Sequence, residues 1–281
     1  MIIFKHVKDI SSHLSLQQQA GKIIGFAPTM GALHQGHISL VENARTQSDV
    51  VVSSIFVNPT QFNNTKDFEK YPITLEKDIA MLENAGCDIL FLPTVKEMYP
   101  DGLMEIKHFE LGYLETVLEG AFRPGHFQGV CRVVEKLLQI VHPDKLFLGQ
   151  KDYQQSMVIK KLVELMNAKT AIIICPTQRE IDGLAMSSRN MRLAEADRKK
   201  ASHIYKTLNF IKEHIAPGDI NDIKKIATDK LSAVGFKVDY IEIADANTLS
   251  LQQNWDGKTP LVALAAAFIN DVRLIDNLLL Q

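Results

Sequence analysis

Two histidines, His34 and His37, bracket Gln35 and Gly36 in the stretch APTMGALHQGHISL, residues 27–40. Imidazoles at this spacing can hold a metal, move protons, or grip phosphate oxygens at the start of a helix. A metal is the weakest of these, because the neighbouring sequence supplies no carboxylate or third histidine at ligand spacing. Gly31 and Gly36 permit tight turning and close approach of the backbone to a ligand. A helix starting at this turn would aim its N–H groups and the positive end of its dipole at an anion. Spacing alone leaves a loop with two ordinary histidines open as well.

Four other segments carry groups of matching character. REIDGLAMSSRN (179–190) brings the hydroxyls of Ser187 and Ser188 beside Arg189, whose planar guanidinium suits phosphate oxygens. LGQKDYQQS (148–156) places Gly149 and Lys151 where a strand gives way to a helix, and a lysine there can neutralise phosphate charge. Gln154 and Gln155 follow. Neutral and bidentate, they suit hydroxyls or a carboxylate, although one of the pair reads as merely solvated on a helix surface. FVNPTQF (56–62) offers Asn58 and Gln61, either as ligand contacts or as turn chemistry around Pro59. FRPGHFQGV (122–130) sets Arg123 and His126 at a helix start, where they serve a site or cap and pack. His6, His13, His108, His142, His203 and His214 fall in no motif.

The elements that must position these residues alternate in type. KIIGFAP (22–28), DVVVSSIFVNP (49–59), CDILFLP (87–93), DKLFLG (144–149) and TAIIICP (170–176) read as five apolar strands. HISLVENARTQ (37–47), TLEKDIAMLENAG (74–86), QGVCRVVEKLLQIV (128–141) and DYQQSMVIKKLVELMN (152–167) carry helical periodicity between them. Apolar strands linked by helices imply a parallel sheet covered on both faces, in a Rossmann-like, doubly wound layout. Ligands of such sheets bind outside the carboxyl ends of the strands, where the histidine turn lies. The texture changes after about residue 177: one long charged helix (RLAEADRKKASHIYKTLNFIKEHI), a break at PGD (217–219), a second helix, then three strands. The expectation is a nucleotide-binding domain over 1–177 and a smaller α+β domain over 178–281 that carries the MSSR loop.

The 281 residues are 46% hydrophobic and 23% charged, with 31 basic against 33 acidic residues and a net charge of -2. That balance gives no electrostatic case for nucleic acid as a partner. No apolar run approaches the roughly 20 residues of a membrane helix, and the N-terminus lacks the pattern of a secretory signal. Cys87, Cys131 and Cys175 are odd in number and far apart, which fits reduced, packed thiols in a cytoplasmic protein.

An HxGH turn early and an MSSR loop late resemble the nucleotidyltransferase superfamily, in which the second motif corresponds to the KMSKS loop of class I aminoacyl-tRNA synthetases. PTMGALHQGH, FVNPTQF, FRPGHFQGV, LGQKDYQQ and REIDGLAMSSRN, in this order and at these separations, together resemble the pantothenate synthetase family. The resemblance spans about residues 22–193. It implies an ATP-dependent reaction in two steps: pantoate attacks the α-phosphorus of ATP and releases pyrophosphate, then the adenylate acylates β-alanine to give pantothenate and AMP. It further implies a cytoplasmic homodimer that uses magnesium with ATP. On this resemblance His34, His37 and Lys151 are the catalytic residues, with His37 the proton donor. The same three, with Met30, Gly31, Gly36, Gly149, Asp152, Met186, Ser187, Ser188 and Arg189, bind ATP. Gln61 and Gln155 hold pantoate, and Gln61 also meets β-alanine.

Three positions depart from the family pattern. Gln150 stands where many relatives carry glutamate, Gln178 where a small apolar residue is usual, and Lys77 where some relatives have acids proposed to touch magnesium. No residue is therefore assigned as a metal ligand. The competing reading is another HxGH nucleotidyltransferase, one that leaves a nucleotide on its product.

Overall fold

The computed structural model describes residues 1–62, 68–69, 71–103 and 107–280. Two compact units emerge, Met1–Gly149 with Gln154–Pro176, and Gln150–Tyr153 with Thr177–Gln281.

The first unit runs β1 (Ile2–Phe4), α1 (Val7–Gln19), β2 (Ile24–Thr29), α2 (Gln35–Arg45), β3 (Val50–Ile55), α3 (Leu75–Asn84), β4 (Ile89–Phe91), α4 (His126–Val141), β5 (Lys145–Gly149), α5 (Tyr153–Leu165) and β6 (Ala171–Cys175). The six strands pair in the order β1-β4-β3-β2-β5-β6, and every pairing is parallel. The sheet is doubly wound because its strands alternate sides. Phe26, Val52, Phe91 and Leu146 face α1 and α4 through Ile10, Leu14, Phe127, Val130 and Leu138. Their chain neighbours Ala27, Val51, Leu90 and Phe147 face α2 and α3 through Ile38, Val41, Ala44 and Leu82. The order reverses between β2 and β5, so the crevice at their carboxyl ends is the topological switch point. The β2–β5 ladder pairs only Gly25 with Lys145 and Phe26 with Leu146. Pro28, two residues on, has no N–H to extend it.

Five strands were legible in the sequence; the sixth, β1, is a three-residue edge strand with exposed Ile2 and Ile3, too short for a periodic signal. Helix α1 also lies outside the sequence reading, since its polar surface buries only Ile10 and Leu14.

The second unit contains α6 (Glu195–Ala201), α7 (His203–His214), α8 (Asn221–Ala233), β7 (Lys237–Asp245), β8 (Leu261–Ile269) and β9 (Val272–Leu279). The three strands form an antiparallel sheet in the order β9-β8-β7. Leu261, Ala263, Ala265, Ala267 and Ile269 of β8 share a core with Ile204, Leu208 and Ile211 of α7 and with Ala227 and Leu231 of α8. The charged pattern that reads as one helix is two, separated at Ser202. The break before PGD holds, with α7 ending at His214.

Candidate active site

The turn after β2 is built around a buried carboxylate. Thr29 Oγ1 donates to Ser54 O at 2.6 Å and accepts from Gly31 N at 3.3 Å. Gly31 then takes φ +81°, and an added Cβ would stand 3.1 Å from both Asp78 Oδ2 and Ile55 Cγ2, so only glycine fits. Asp78, from the first turn of α3, is 1% exposed. Its Oδ2 accepts from Ala32 N at 2.8 Å, and its Oδ1 accepts from Leu33 N at 2.8 Å and from Thr74 Oγ1 at 2.9 Å. Losing this carboxylate would orphan two buried N–H groups at about 1–3 kcal/mol each. Asp78 is absent from the sequence-derived set, because in the sequence it is one of two acids opening an ordinary helix.

His34 is the N-cap of α2, and the two histidines form a capping box. His34 Nδ1 accepts from Gly36 N at 3.1 Å, and His37 Nδ1 accepts from His34 N at 3.4 Å. Their rings lie 4.0 Å apart between centroids. Imidazole normally caps less well than serine or aspartate, yet here it satisfies two of the helix's orphan donors. An accepting Nδ1 carries no proton, so the hydrogen bonds assign both rings the neutral tautomer with the proton on Nε2. Gly36 belongs to the same cap through its N–H.

A second group gathers beyond β3. Asn58 is 1% exposed and saturated with partners. Its Nδ2 donates to Gln61 Oε1 and to Gly129 O, each at 3.1 Å, and its Oδ1 accepts from Tyr99 OH at 2.9 Å and Thr60 Oγ1 at 3.0 Å. Gln61 is thereby oriented, and its Nε2 donates to Met30 Sδ at 3.0 Å. Two sequence-derived residues, Met30 and Gln61, thus meet across the ends of neighbouring strands. Gly129 of α4 makes the approach feasible: a Cβ there would fall 2.2 Å from Thr60 O. His126 Nδ1 bonds Gln61 O at 2.8 Å, and Arg123 Nη1 bonds His126 Nε2 at 3.1 Å. The FRPGHF segment therefore braces the Gln61 turn.

Gly149 closes β5, the strand beside β2. Of the glutamine pair, Gln154 is the buried member rather than a solvated one. It is 3% exposed, accepts from Glu119 N at 3.0 Å, and donates to Leu114 O at 2.8 Å and Val117 O at 2.9 Å. Gln155 is half-buried in the first turn of α5.

In the second unit, Lys151 and Asp152 occupy a 3-10 turn, with Lys151 Nζ 3.6 Å from Asp152 Oδ1. Met186 N donates to Gln178 O at 3.0 Å, closing a small hairpin. Ser187 caps the following turn by accepting from Arg189 N at 3.3 Å. Ser188 is buried, and Asn190 Nδ2 ties the turn back to Ala185 O at 3.0 Å.

Among the described residues no group of three or more His, Cys, Asp or Glu side chains could hold a metal ion. The buried acid at the histidine turn, Asp78, has both oxygens committed to N–H donors. The three cysteines are buried and free. Burial pushes the Cys87 and Cys131 thiols up to about 12 and raises Cys175, so none is a thiolate nucleophile near neutral pH.

The family model described as Pantoate-beta-alanine ligase matches residues 2–279. A curated relative, pantothenate synthetase of Bacteroides fragilis (strain NCTC 9343), is 43% identical over 279 residues, covering 99% of this chain and 98% of its own. The crystal structure of pantothenate synthetase from Thermus thermophilus superposes with a TM-score of 0.91 at 39% identity, covering 100% of this chain and 99% of that one. A pantoate-beta-alanine ligase from Francisella tularensis, solved in complex with beta-gamma ATP and beta-alanine, gives 0.83 at 42% identity, covering 100% of this chain and 98% of that one.

Proposed function

The chain belongs to the pantoate-beta-alanine ligase family, and from that membership we propose how its residues divide the work. It is an ATP-dependent ligase that condenses pantoate with β-alanine through a pantoyl-adenylate, giving pantothenate, AMP and pyrophosphate. A carboxylate is a poor electrophile for an amine, so it must first gain a leaving group. In the first step a pantoate oxygen bonds to the α-phosphorus as the bond to pyrophosphate breaks. In the second the β-alanine nitrogen bonds to the acyl carbon, AMP departs and the amine sheds a proton. The reading in which the nucleotide stays on the product is not favoured: the family match runs over residues 2–279, and the Francisella relative was solved in complex with beta-gamma ATP and beta-alanine.

The observation that carries the assignment of roles is the histidine capping box at the switch point. His34 and His37 each bring an Nε2–H to the start of a helix whose dipole favours anions. Charge builds on pyrophosphate as it leaves, and preorganised donors aimed at it lower the barrier. A full proton transfer from His37 would require an imidazolium, whose Nδ1–H would displace the bond from His34 N. We therefore read His37 as a donor that holds phosphate charge rather than one that surrenders its proton. Met30, Gly31, Gly36 and Gly149 offer backbone to the nucleotide. Lys151, Ser187, Ser188 and Arg189 supply charge and hydroxyls for its phosphates, with Asp152 and Met186 beside them. Gln61, held by Asn58, and Gln155 bind pantoate, and Gln61 also reaches β-alanine. Any magnesium arrives on the phosphates of ATP, and no protein ligand is assigned to it.

The family resemblance further supports a cytoplasmic homodimer. No helix among the described residues is long and apolar enough to cross a membrane. Light scattering on the purified protein measures the oligomeric state directly. The residue roles are tested by His37→Ala and Lys151→Ala, each expected to lower the pyrophosphate-exchange rate by roughly 10²–10³-fold with the fold intact. A near-normal rate in either variant removes the role given to that residue.

A further inference from the structure

Lysine is a point charge on a flexible stem, so its placement depends on the backbone that carries it. Lys151 lies in the turn Gln150–Asp152. One buried side chain of the same unit holds that turn. Asn277, on the edge strand β9, is 2% exposed. Its Nδ2 donates to Gln150 O at 2.9 Å and to Lys151 O at 2.8 Å, and its Oδ1 accepts from Gln150 Nε2 at 3.4 Å. Both N–H bonds of one amide are thus committed to consecutive carbonyls.

The preceding residue ties down the other phosphate-binding segment of this unit. Asp276, 3% exposed, receives Arg179 in a bidentate pair at 2.6 and 3.0 Å. Arg179 also donates to Asn277 O at 3.2 Å and Gly183 O at 3.1 Å, and its guanidinium lies 3.9 Å from the Tyr205 ring centroid. It stands at the base of the hairpin that ends in Met186, bridged to Ala185. Burial raises the Asp276 carboxyl, while Arg179, the Asn277 N–H and the charge of Lys151 pull it back down.

We propose that Asn277 is a positioning residue for adenylate formation, its amide fixing the Gln150–Lys151 backbone so that the lysine ammonium meets the phosphates of ATP. The Arg179–Asp276 pair anchors the MSSR loop to the same strand, so two neighbouring residues of β9 set both segments. The proposal rests on the role given to Lys151.

The test compares wild type, Asn277→Asp, Asn277→Ser and Lys151→Ala in two assays. One is pantoate-dependent exchange of pyrophosphate into ATP. The other is pantothenate formation from supplied pantoyl-adenylate and β-alanine, which needs no triphosphate. In Asn277→Asp a carboxylate faces two carbonyl oxygens; exchange should fall about 10²-fold, the cost of misplacing a catalytic group by an ångström. Amide formation from the adenylate should stay near the wild-type rate. Asn277→Ser, a shorter neutral donor, should fall between, and it decides alone if the aspartate variant does not fold. Exchange unchanged in the folded Asn277 variants while Lys151→Ala loses it overturns the positioning role. Equal loss in both assays overturns it too, because general damage then explains the defect. Exchange retained in Lys151→Ala removes the lysine assignment beneath it.

Discussion

An asparagine at position 34 separates the two jobs given to His34. Its Oδ1 can accept from Gly36 N as the histidine Nδ1 does, and asparagine is among the best N-caps. The Nε2–H is lost. His34→Asn should therefore keep its thermal midpoint, while exchange falls roughly 10²–10³-fold, the usual cost of one donor to developing charge. His34→Ala should lose the same rate and also about 1 kcal/mol of stability with the cap. A His34→Asn enzyme with normal exchange would mean that the ring serves only to cap the helix. At this scale the sequence marks candidates where chemistry and spacing coincide, as in HQGH, Lys151 and MSSR, and the variants above test the roles proposed for them. It was silent on the residues that hold them. Asp78 is 46 positions from Ala32 and Asn277 is 126 from Lys151. Nothing local marks an acid or an amide as the partner of a distant backbone.

Elements position Gln61, the residue proposed to hold pantoate, through close packing. Helix α4 meets the Pro59–Gln61 turn at Gly129, where an added Cβ would lie 2.2 Å from Thr60 O and 2.8 Å from Gln61 Cα. Gly129→Ala must push that turn away, at about 1–3 kcal/mol. Gln61 moves with it. The expected result is a lower thermal midpoint and a raised KM for pantoate, with KM for ATP unchanged; an unchanged KM for pantoate would show that the turn does not set that subsite. The central strands were readable because burial on both faces selects continuous apolar runs, as in β3, whose six residues are all buried. Short or polar elements were not. Edge strand β1 has too few residues for a period, and the hitch at Ser202 between α6 and α7 leaves the hydrophobic pattern almost unbroken.

For the molecule as a whole, the parallel order β4-β3-β2-β5-β6 puts the histidine turn and Gly149 at the crevice where doubly wound sheets bind nucleotides. The fold class could be read from the alternation of apolar strands and periodic helices. The specific reaction could not be read from the fold, which hosts many chemistries; it came from five motifs in one order. The central claim is that pantoate, and not β-alanine, is the group that attacks ATP. Omitting substrates one at a time tests it most directly. ATP and pantoate alone should support exchange of labelled pyrophosphate into ATP, and pantothenate with AMP should form only when β-alanine is added. Exchange that proceeds without pantoate, or that demands β-alanine, would contradict the account.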